Sequence, residues 1–315
     1  MVASEFELIR RFFRRPVAHA LLGVGDDAAL VRADPDADLA LATDLLLEGR
    51  HFRRTDDPRA LGHKALAVNL SDMAAIGATP RWALLALALP EPDEAWLAAF
   101  ADGLYALAAR FGVEIVGGDT TRGPLTLCVA IAGEVPRGGA LLRSGAAPGD
   151  DIWVSGQLGA AALALERPED VGAARRLAWP EPRVALGERL RGVASAAIDV
   201  SDGFAQDLVH VLESSGVRAT VHEPALPGYA GLAAPGIATE LARRCLLAGG
   251  DDYELVFTAP PARRGEVEAI GRELGLALAR VGTIERGAPA LTVLDAEGRP
   301  VPLPRGYDHF GNSPP

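Results

Sequence analysis

Five short stretches set an aspartate among glycine, serine or threonine: Gly23-Val24-Gly25-Asp26-Asp27, Thr43-Asp44, Ser71-Asp72, Gly117-Gly118-Asp119-Thr120-Thr121 and Asp199-Val200-Ser201-Asp202-Gly203. Carboxylates gathered in space repel one another and titrate abnormally unless a cation holds them. Hard oxygen donors suit Mg2+, which in enzymes bridges protein carboxylates and substrate phosphates. The pattern predicts a magnesium-dependent nucleotide site. No carboxylate–histidine pair or nucleophile motif accompanies it, so the expected chemistry is metal-assisted positioning, without a covalent nucleophile. His51, after Glu48-Gly49-Arg50, reads on its own as a structural or surface histidine.

Other chemistries are excluded by motif. No Gly-x-x-x-x-Gly-Lys-Ser/Thr loop occurs, which rules out a P-loop enzyme. Gly23-Val24-Gly25 begins like a dinucleotide fingerprint, but two aspartates follow where the context of a third glycine belongs. Neither a His-Glu-x-x-His nor a cysteine-rich zinc pattern is present. Cys128 and Cys245, the only cysteines, lie in apolar stretches and read as buried thiols. The net charge of -11 argues against a nucleic-acid surface but not against a nucleotide carried with its metal. The longest apolar run, Trp82–Pro90, is far too short to span a bilayer, and Met1–Glu5 starts no apolar leader. A cytoplasmic enzyme without a membrane or nucleic-acid partner is expected.

The elements that must carry these residues are legible in part. Glu5–Phe13 reads as a short helix, and Leu30–Val31 and Leu39–Leu47 as strands joined through Asp34-Pro35-Asp36. In the helical region Pro58–Ala78, Leu61, Ala65, Val68, Asp72 and Ile76 share one stripe. An aspartate in such a stripe is costly unless paired or liganded. A metal ligand and a carboxylate satisfied by a serine or a backbone N–H both fit it, and Asn69 lies three residues away on the same side. Trp82–Leu89 reads as a strand. Asp93 caps a helix to Phe111 with Leu97, Phe100, Leu104 and Leu107 inward. Val113–Val116 reads as a strand that ends in a tight Gly117-Gly118 turn, where backbone can approach a phosphate. Leu125–Val135 is a further strand. The Gly-, Ala- and Pro-rich stretch Pro136–Asp151 marks a boundary, giving domains 1–137 and 138–315.

Beyond it strands and helices alternate, as in an α/β layer. Ile152–Ser155, Tyr253–Phe257 and Leu276–Ile284 read as strands; Arg183–Arg191, Phe204–Ser214, Glu240–Ala248 and Arg263–Leu274 read as helices. The N–H groups at the start of Phe204–Ser214 could meet an anion. A hairpin is expected around Glu297-Gly298.

Taken in order, the motifs resemble the thiamine-monophosphate kinase family over nearly the whole chain. The runs that carry the resemblance are the five above together with Glu48-Gly49-Arg50-His51-Phe52, Lys64–Asp72, Arg143-Ser144-Gly145, Gly249-Gly250-Asp251-Asp252-Tyr253-Glu254-Leu255 and Gly306-Tyr307-Asp308-His309-Phe310. The resemblance implies ATP-dependent phosphorylation of thiamine monophosphate to thiamine diphosphate, with ATP as co-substrate and several Mg2+ ions. It implies an α/β fold of the α+β type, with the two domains of the aminoimidazole ribonucleotide synthetase superfamily. Strands of the first domain would join a barrel across a homodimer. By that pattern Asp27, Thr43, Asp44, Asp72, Asp119, Asp199 and Asp202 handle magnesium. Gly118, Asp119, Arg143 and Ser201 contact ATP, and His51, Asp251 and Tyr307 face thiamine monophosphate. Asp44, Asp72, Asp119, Arg143 and Asp202 form the catalytic set.

Two departures stand out. Asp251-Asp252 replaces the usual Glu-Asp, which shortens one contact arm by a methylene. Arg50 replaces a small or apolar residue, and either helps to hold the substrate phosphate or points to solvent. The rival readings are another ATP-using member of the superfamily and a non-catalytic nucleotide-binding protein. A selenophosphate synthetase would carry a reactive cysteine near its N-terminus, and none precedes Cys128.

Overall fold

The computed structural model describes residues 4–233 and 236–307, and these divide into two units: 4–73 with 78–138, and 139–307 with 74–77. In the first unit, α1 (Glu5–Leu8) is capped by a reciprocal Ser4–Glu7 box. It runs on as a wider π-helical stretch, Ile9–Phe13. β1 (Ala20–Leu22) and β2 (Leu30–Val31) form a small antiparallel ribbon. The main sheet contains β3 (Ala37–Leu47), β4 (Thr79–Leu89), β5 (Glu114–Arg122) and β6 (Thr126–Pro136) in the order β3-β6-β4-β5, with only the β4–β5 pair parallel. Between β3 and β4 lies α2 (Pro58–Ala75), and between β4 and β5 lies α3 (Glu94–Phe111).

The sequence explains the packing. Asp93 accepts the N–H groups of Ala95 and Trp96, and Gly112 ends α3 in a left-handed cap. Leu97, Phe100 and Leu104 are fully buried on its inward stripe, each contributing about 2 kcal/mol by leaving water. α2 covers one face of the sheet, with Met73 against Gly133 of β6. On that face Leu85, Leu87, Leu127, Val129 and Ile131 are buried. The pleat sends alternate residues to the other face, which stays open. There Leu39, Leu41, Leu45 and Leu84 are exposed, Leu41 to 75%.

The second unit has β7 (Asp151–Ser155), α4 (Ala160–Glu166), α5 (Val171–Ala178), α6 (Val184–Leu190), β8 (Ala196–Asp199), α7 (Phe204–Ser215), β9 (Arg218–His222) and α8 (Tyr229–Leu232). It continues with α9 (Thr239–Ala248), β10 (Leu255–Ala259), α10 (Arg264–Leu274), β11 (Leu278–Glu285) and β12 (Ala290–Leu294). Its six strands lie in the order β12-β9-β11-β7-β10-β8, antiparallel except for β12–β9. Ile152, Val154, Phe204, Leu208 and Leu247 share one buried cluster. The expected hairpin closes through an Asp295 turn, with the N–H of Val301 bonded to Val293 O, but its return arm is not a strand. Among the described residues no helix is long and apolar enough to cross a membrane.

Candidate active site

In the first unit the motif residues hang on strand edges and one helix. β3 is an edge strand, so some of its N–H groups have no ladder partner. The N–H of Asp44 is satisfied by Oδ1 of Asn69 at 3.1 Å, and Asn69 in turn donates through Nδ2 to Ala65 O at 3.0 Å. Asn69 is wholly buried. This bond ties Thr43-Asp44 to the turn of α2 that carries Asp72. The Thr43 side chain leaves in the other direction: Oγ1 donates to Val129 O at 3.0 Å, on the open face beside Cys128.

Gly118 is not in a turn. β5 runs straight through Gly117-Gly118-Asp119 to Arg122, so the expected tight turn is replaced by strand. Gly118 has φ +147°, and a Cβ there would overlap the carbonyl of Leu85 on β4. The glycine is required by the closeness of the parallel neighbour, next to a register shift at Ala83/Leu84. Asp119 is exposed, level with exposed Ala86, whereas Thr120 beyond it is buried and level with Leu87. Asp119 thus belongs to the open face and Asp44 to the helix-covered one. Asp27 lies exposed in the bend after Gly25. His51 closes the turn after β3, its Nδ1 accepting the Leu47 N–H at 2.9 Å. A neutral ring held this way carries its proton on Nε2. Arg50 is exposed.

The second unit gathers its candidates more tightly. Oδ2 of Asp207 accepts the N–H groups of Ser201, Asp202 and Gly203, each at 3.1 Å. The anion expected at the start of α7 is therefore the chain's own carboxylate. Burial pushes the Asp207 carboxyl up to about 7, and the charges of Asp199 and Asp202 add to this against the pull of the amides. The loop 249–254 is laid beside this turn: Asp251 N–H bonds to Ser201 O at 2.9 Å and Tyr253 N–H to Val200 O at 2.9 Å. Tyr307 donates its N–H to Asp202 O at 3.1 Å, and Gln206 Nε2 binds the Tyr307 carbonyl at 3.0 Å. Asp308, His309 and Phe310 lie outside the described residues.

Arg143 is exposed, and its loop is pinned by Ser215. The Ser215 hydroxyl donates to Arg143 O at 3.3 Å and accepts from the Gly145 and Ala146 N–H groups at 3.2 Å. Ser215 ends the helix that Ser201-Asp202 precedes. The neighbouring Leu142 carbonyl accepts the Ala197 N–H at 2.9 Å, so the Arg143 loop lies beside β8, the strand that leads to Asp199 and Ser201.

Asp44, Asn69 and Asp72 are thus brought together in one unit, and Asp199, Ser201, Asp202, Asp251 and Tyr307 in the other. Thr43 and Asp119 are turned to a different face from Asp44. Among the described residues no three His, Cys, Asp or Glu side chains stand close enough together to hold a metal ion. The donors present are carboxylates with hydroxyl or amide neighbours, an all-oxygen set that fits Mg2+ and not a thiolate-seeking metal. Asp207, Ser215 and the buried Arg183–Glu254 pair are absent from the sequence reading. Asp207 was findable: it follows Phe204 and precedes Leu208 and Val211 in an apolar stripe, the same signal that drew attention to Asp72.

Comparison with known proteins follows the same lines. Residues 25–135 match the family model described as AIR synthase related protein, N-terminal domain. The chain is 44% identical to the thiamine-monophosphate kinase of Salmonella typhimurium over 324 aligned residues, covering 98% of this chain and 99% of that one. Among solved structures, thiamine-monophosphate kinase from Stenotrophomonas maltophilia superposes with a TM-score of 0.83 at 45% identity, covering 87% of this chain and 91% of that chain. AaThiL in complex with AMPPCP and TMP gives 0.76 at 31% identity, with 89% of each chain covered.

Proposed function

The chain belongs to the thiamine-monophosphate kinase family, with its two-domain α/β fold, and from that premise we propose how its two sets of acidic residues are used. The protein is an ATP-dependent kinase that phosphorylates thiamine monophosphate to thiamine diphosphate. An oxygen of the acceptor's phosphate attacks the γ-phosphorus of ATP in line. The new P–O–P bond forms as the bond to ADP breaks. A phosphate monoester has a second pKa of roughly 6, so the attacking oxygen is already largely ionised near pH 7 and no strong base is needed. No residue is phosphorylated on the way.

Asp27, Asp44 and Asp72 in the first unit, Asp119 on the opposite face of its sheet, and Asp199 and Asp202 in the second unit would each ligate Mg2+. The Thr43 hydroxyl donates to Val129 O and keeps its oxygen lone pairs for the metal. Bound magnesium would offset the mutual repulsion of the two phosphates and stabilise charge on the transferred group. Asn69 sets the height of Asp44, and Asp207 shapes the Ser201–Gly203 backbone that faces the nucleotide with Gly118 and Arg143. His51 Nε2–H, Asp251 and Tyr307 face the acceptor. The open apolar face of Leu39, Leu41, Leu45 and Leu84 supports a homodimer in which β3 and its neighbours pack against a second copy, since a patch of this kind costs free energy in water. The setting is the cytoplasm.

The observation that carries the direct mechanism is a site of carboxylates without an activated nucleophile. Rapid quench with ATP labelled at the γ-phosphate tests it. Label should pass straight into thiamine diphosphate. Labelled protein formed and consumed at the rate of turnover would overturn the direct step.

A further inference from the structure

The loop that bears Asp27 has little of its own to hold it in shape. It spans residues 23–29, and its stem is the ribbon of β1 and β2, paired at Ala20 with Val31 and at Leu22 with Leu30. A two-stranded ribbon this short is not stable by itself in water. Burial does not secure it either, since Leu21, Leu30 and Val31 are all exposed. The loop also bends at Gly25, where φ is +126°, a conformation open to glycine and strained for other residues. Its place must be set from outside the ribbon.

It is set by a carboxylate far along the chain. Glu114, at the start of β5, accepts three successive backbone N–H groups where the chain enters β1. Its Oε1 takes those of Ala18 and His19, the latter at 2.8 Å, and its Oε2 takes that of Ala20 at 2.8 Å. Successive amides turned onto one anion form a nest. Hydrogen bonds to a charged acceptor are also stronger than neutral ones. Burial alone would raise the Glu114 carboxyl, but these bonds outweigh it and hold it below the usual carboxylate range.

Just ahead of the gripped residues, Val17 and Arg14 lie against the loop itself. A Cβ at Gly23 would stand 2.9 Å from Val17 Cγ1, and one at Gly25 would stand 3.6 Å from the Arg14 guanidinium carbon. The grip on residues 18–20 therefore fixes the stem and also the two side chains that back the loop. On the leaving arm one bond plays the matching part, from the Asp34 N–H to Glu134 Oε1 at 2.8 Å. The strand that begins at Glu114 goes on to carry Asp119. β5 thus presents one acidic motif residue directly and holds the loop of another through the backbone.

We propose that Glu114 is the positioning residue for Asp27: its carboxylate holds the backbone of residues 18–20 against the start of β5 and so keeps the loop 23–29 where Asp27 can ligate Mg2+. The inference rests on the kinase reading for what Asp27 does, and adds which group keeps it in place.

The test follows Glu114→Ala, Glu114→Gln and Tyr105→Phe beside wild type. Tyr105 is the control: its hydroxyl donates to Phe13 O at 2.6 Å, which tethers the same segment upstream of the residues that Glu114 binds. The first readout is hydrogen exchange in the metal-free proteins. Amides 21, 22, 30 and 31, which Glu114 does not bind, should exchange about tenfold faster in Glu114→Ala, with the global denaturation midpoint unmoved. The second is thiamine diphosphate formation at varied Mg2+. The Mg2+ concentration for half-maximal rate should rise about tenfold in Glu114→Ala, while the KM for thiamine monophosphate stays within about twofold. Glu114→Gln keeps one acceptor oxygen and should move both readouts about threefold; it carries the test if Glu114→Ala does not fold. Tyr105→Phe should match wild type in both. Wild-type exchange at the four amides, or a Mg2+ requirement within about twofold of wild type, would overturn the assignment. So would an equal rise in the KM for thiamine monophosphate, or a shift in Tyr105→Phe as large as that in Glu114→Ala. A wild-type chain that makes no diphosphate overturns the kinase reading instead, and the exchange comparison then decides whether Glu114 holds the loop.

Discussion

The two units present their acidic residues in opposite ways. In the first, Asp27, Asp44, Asp72 and Asp119 sit on a bend, an edge strand, a helix and a strand interior, and the sheet register turns Asp119 away from Asp44. Their place is set through the backbone, as when Asn69 takes the Asp44 N–H. In the second, buried carboxylates build the site from inside: Asp207 folds the Ser201–Gly203 turn around itself, and Glu254 anchors the loop bearing Asp251. The lesson is that an aspartate in an acidic motif can serve ligand or scaffold, and that its hydrogen-bond partners tell which. Carboxylates that face a ligand should be expendable for folding and essential for turnover. Scaffold carboxylates should show the reverse.

The largest effect expected is on turnover. Asp44→Asn and Asp72→Asn should each lose on the order of 10³-fold in kcat with an unchanged denaturation midpoint. Near-normal turnover at saturating Mg2+ would move that residue to the scaffold class. Next, Arg183→Met leaves Glu254 buried without its partner and should cost about 3 kcal/mol of stability in chemical denaturation. Asp207→Ala strips three N–H groups of their acceptor and should cost about 2 kcal/mol, while Asp207→Asn keeps an acceptor oxygen and should cost less. If Asp207→Ala abolished turnover with stability intact, the division between the two classes would fail at that residue.

The smallest effect is a pH dependence. Burial alone would raise the Asp151 carboxyl, but hydrogen bonds and charge from Arg264 and Arg280 outweigh it and hold it below the usual carboxylate range. A carboxyl lowered on folding adds stability above its unfolded pKa of about 3.9, and that stability is lost as pH falls through the folded value. Asp151→Asn should therefore be less stable than wild type at neutral pH, with the gap closing below about pH 4. A gap independent of pH would show that packing, and not charge, is what Asp151 contributes.

Much of the fold could be read from local pattern. α3 shows its cap and stripe, and β3, β4, β6 and α10 lie close to their expected limits. Misreadings arose where a long-range contact decides. Gly117-Gly118 reads as a turn because glycine permits one, but the carbonyl of β4 is what demands Gly118. Tyr253 has strand composition, yet β10 starts at Leu255 because Asp251 and Tyr253 are held at positive φ. Of the site, the aspartates were visible as motifs. Their scaffolding was not, because Arg183 and Glu254 are 71 residues apart, as Ser215 is 72 from Arg143. No local spacing announces such pairs.

The central claim is most directly tested by chromatography of the products after mixing the protein with ATP, Mg2+ and thiamine monophosphate, with free thiamine as a parallel acceptor. The account predicts thiamine diphosphate and ADP in equal amounts from the monophosphate, and no phosphorylated product from thiamine. ATP–Mg2+ binding without any thiamine diphosphate would contradict it.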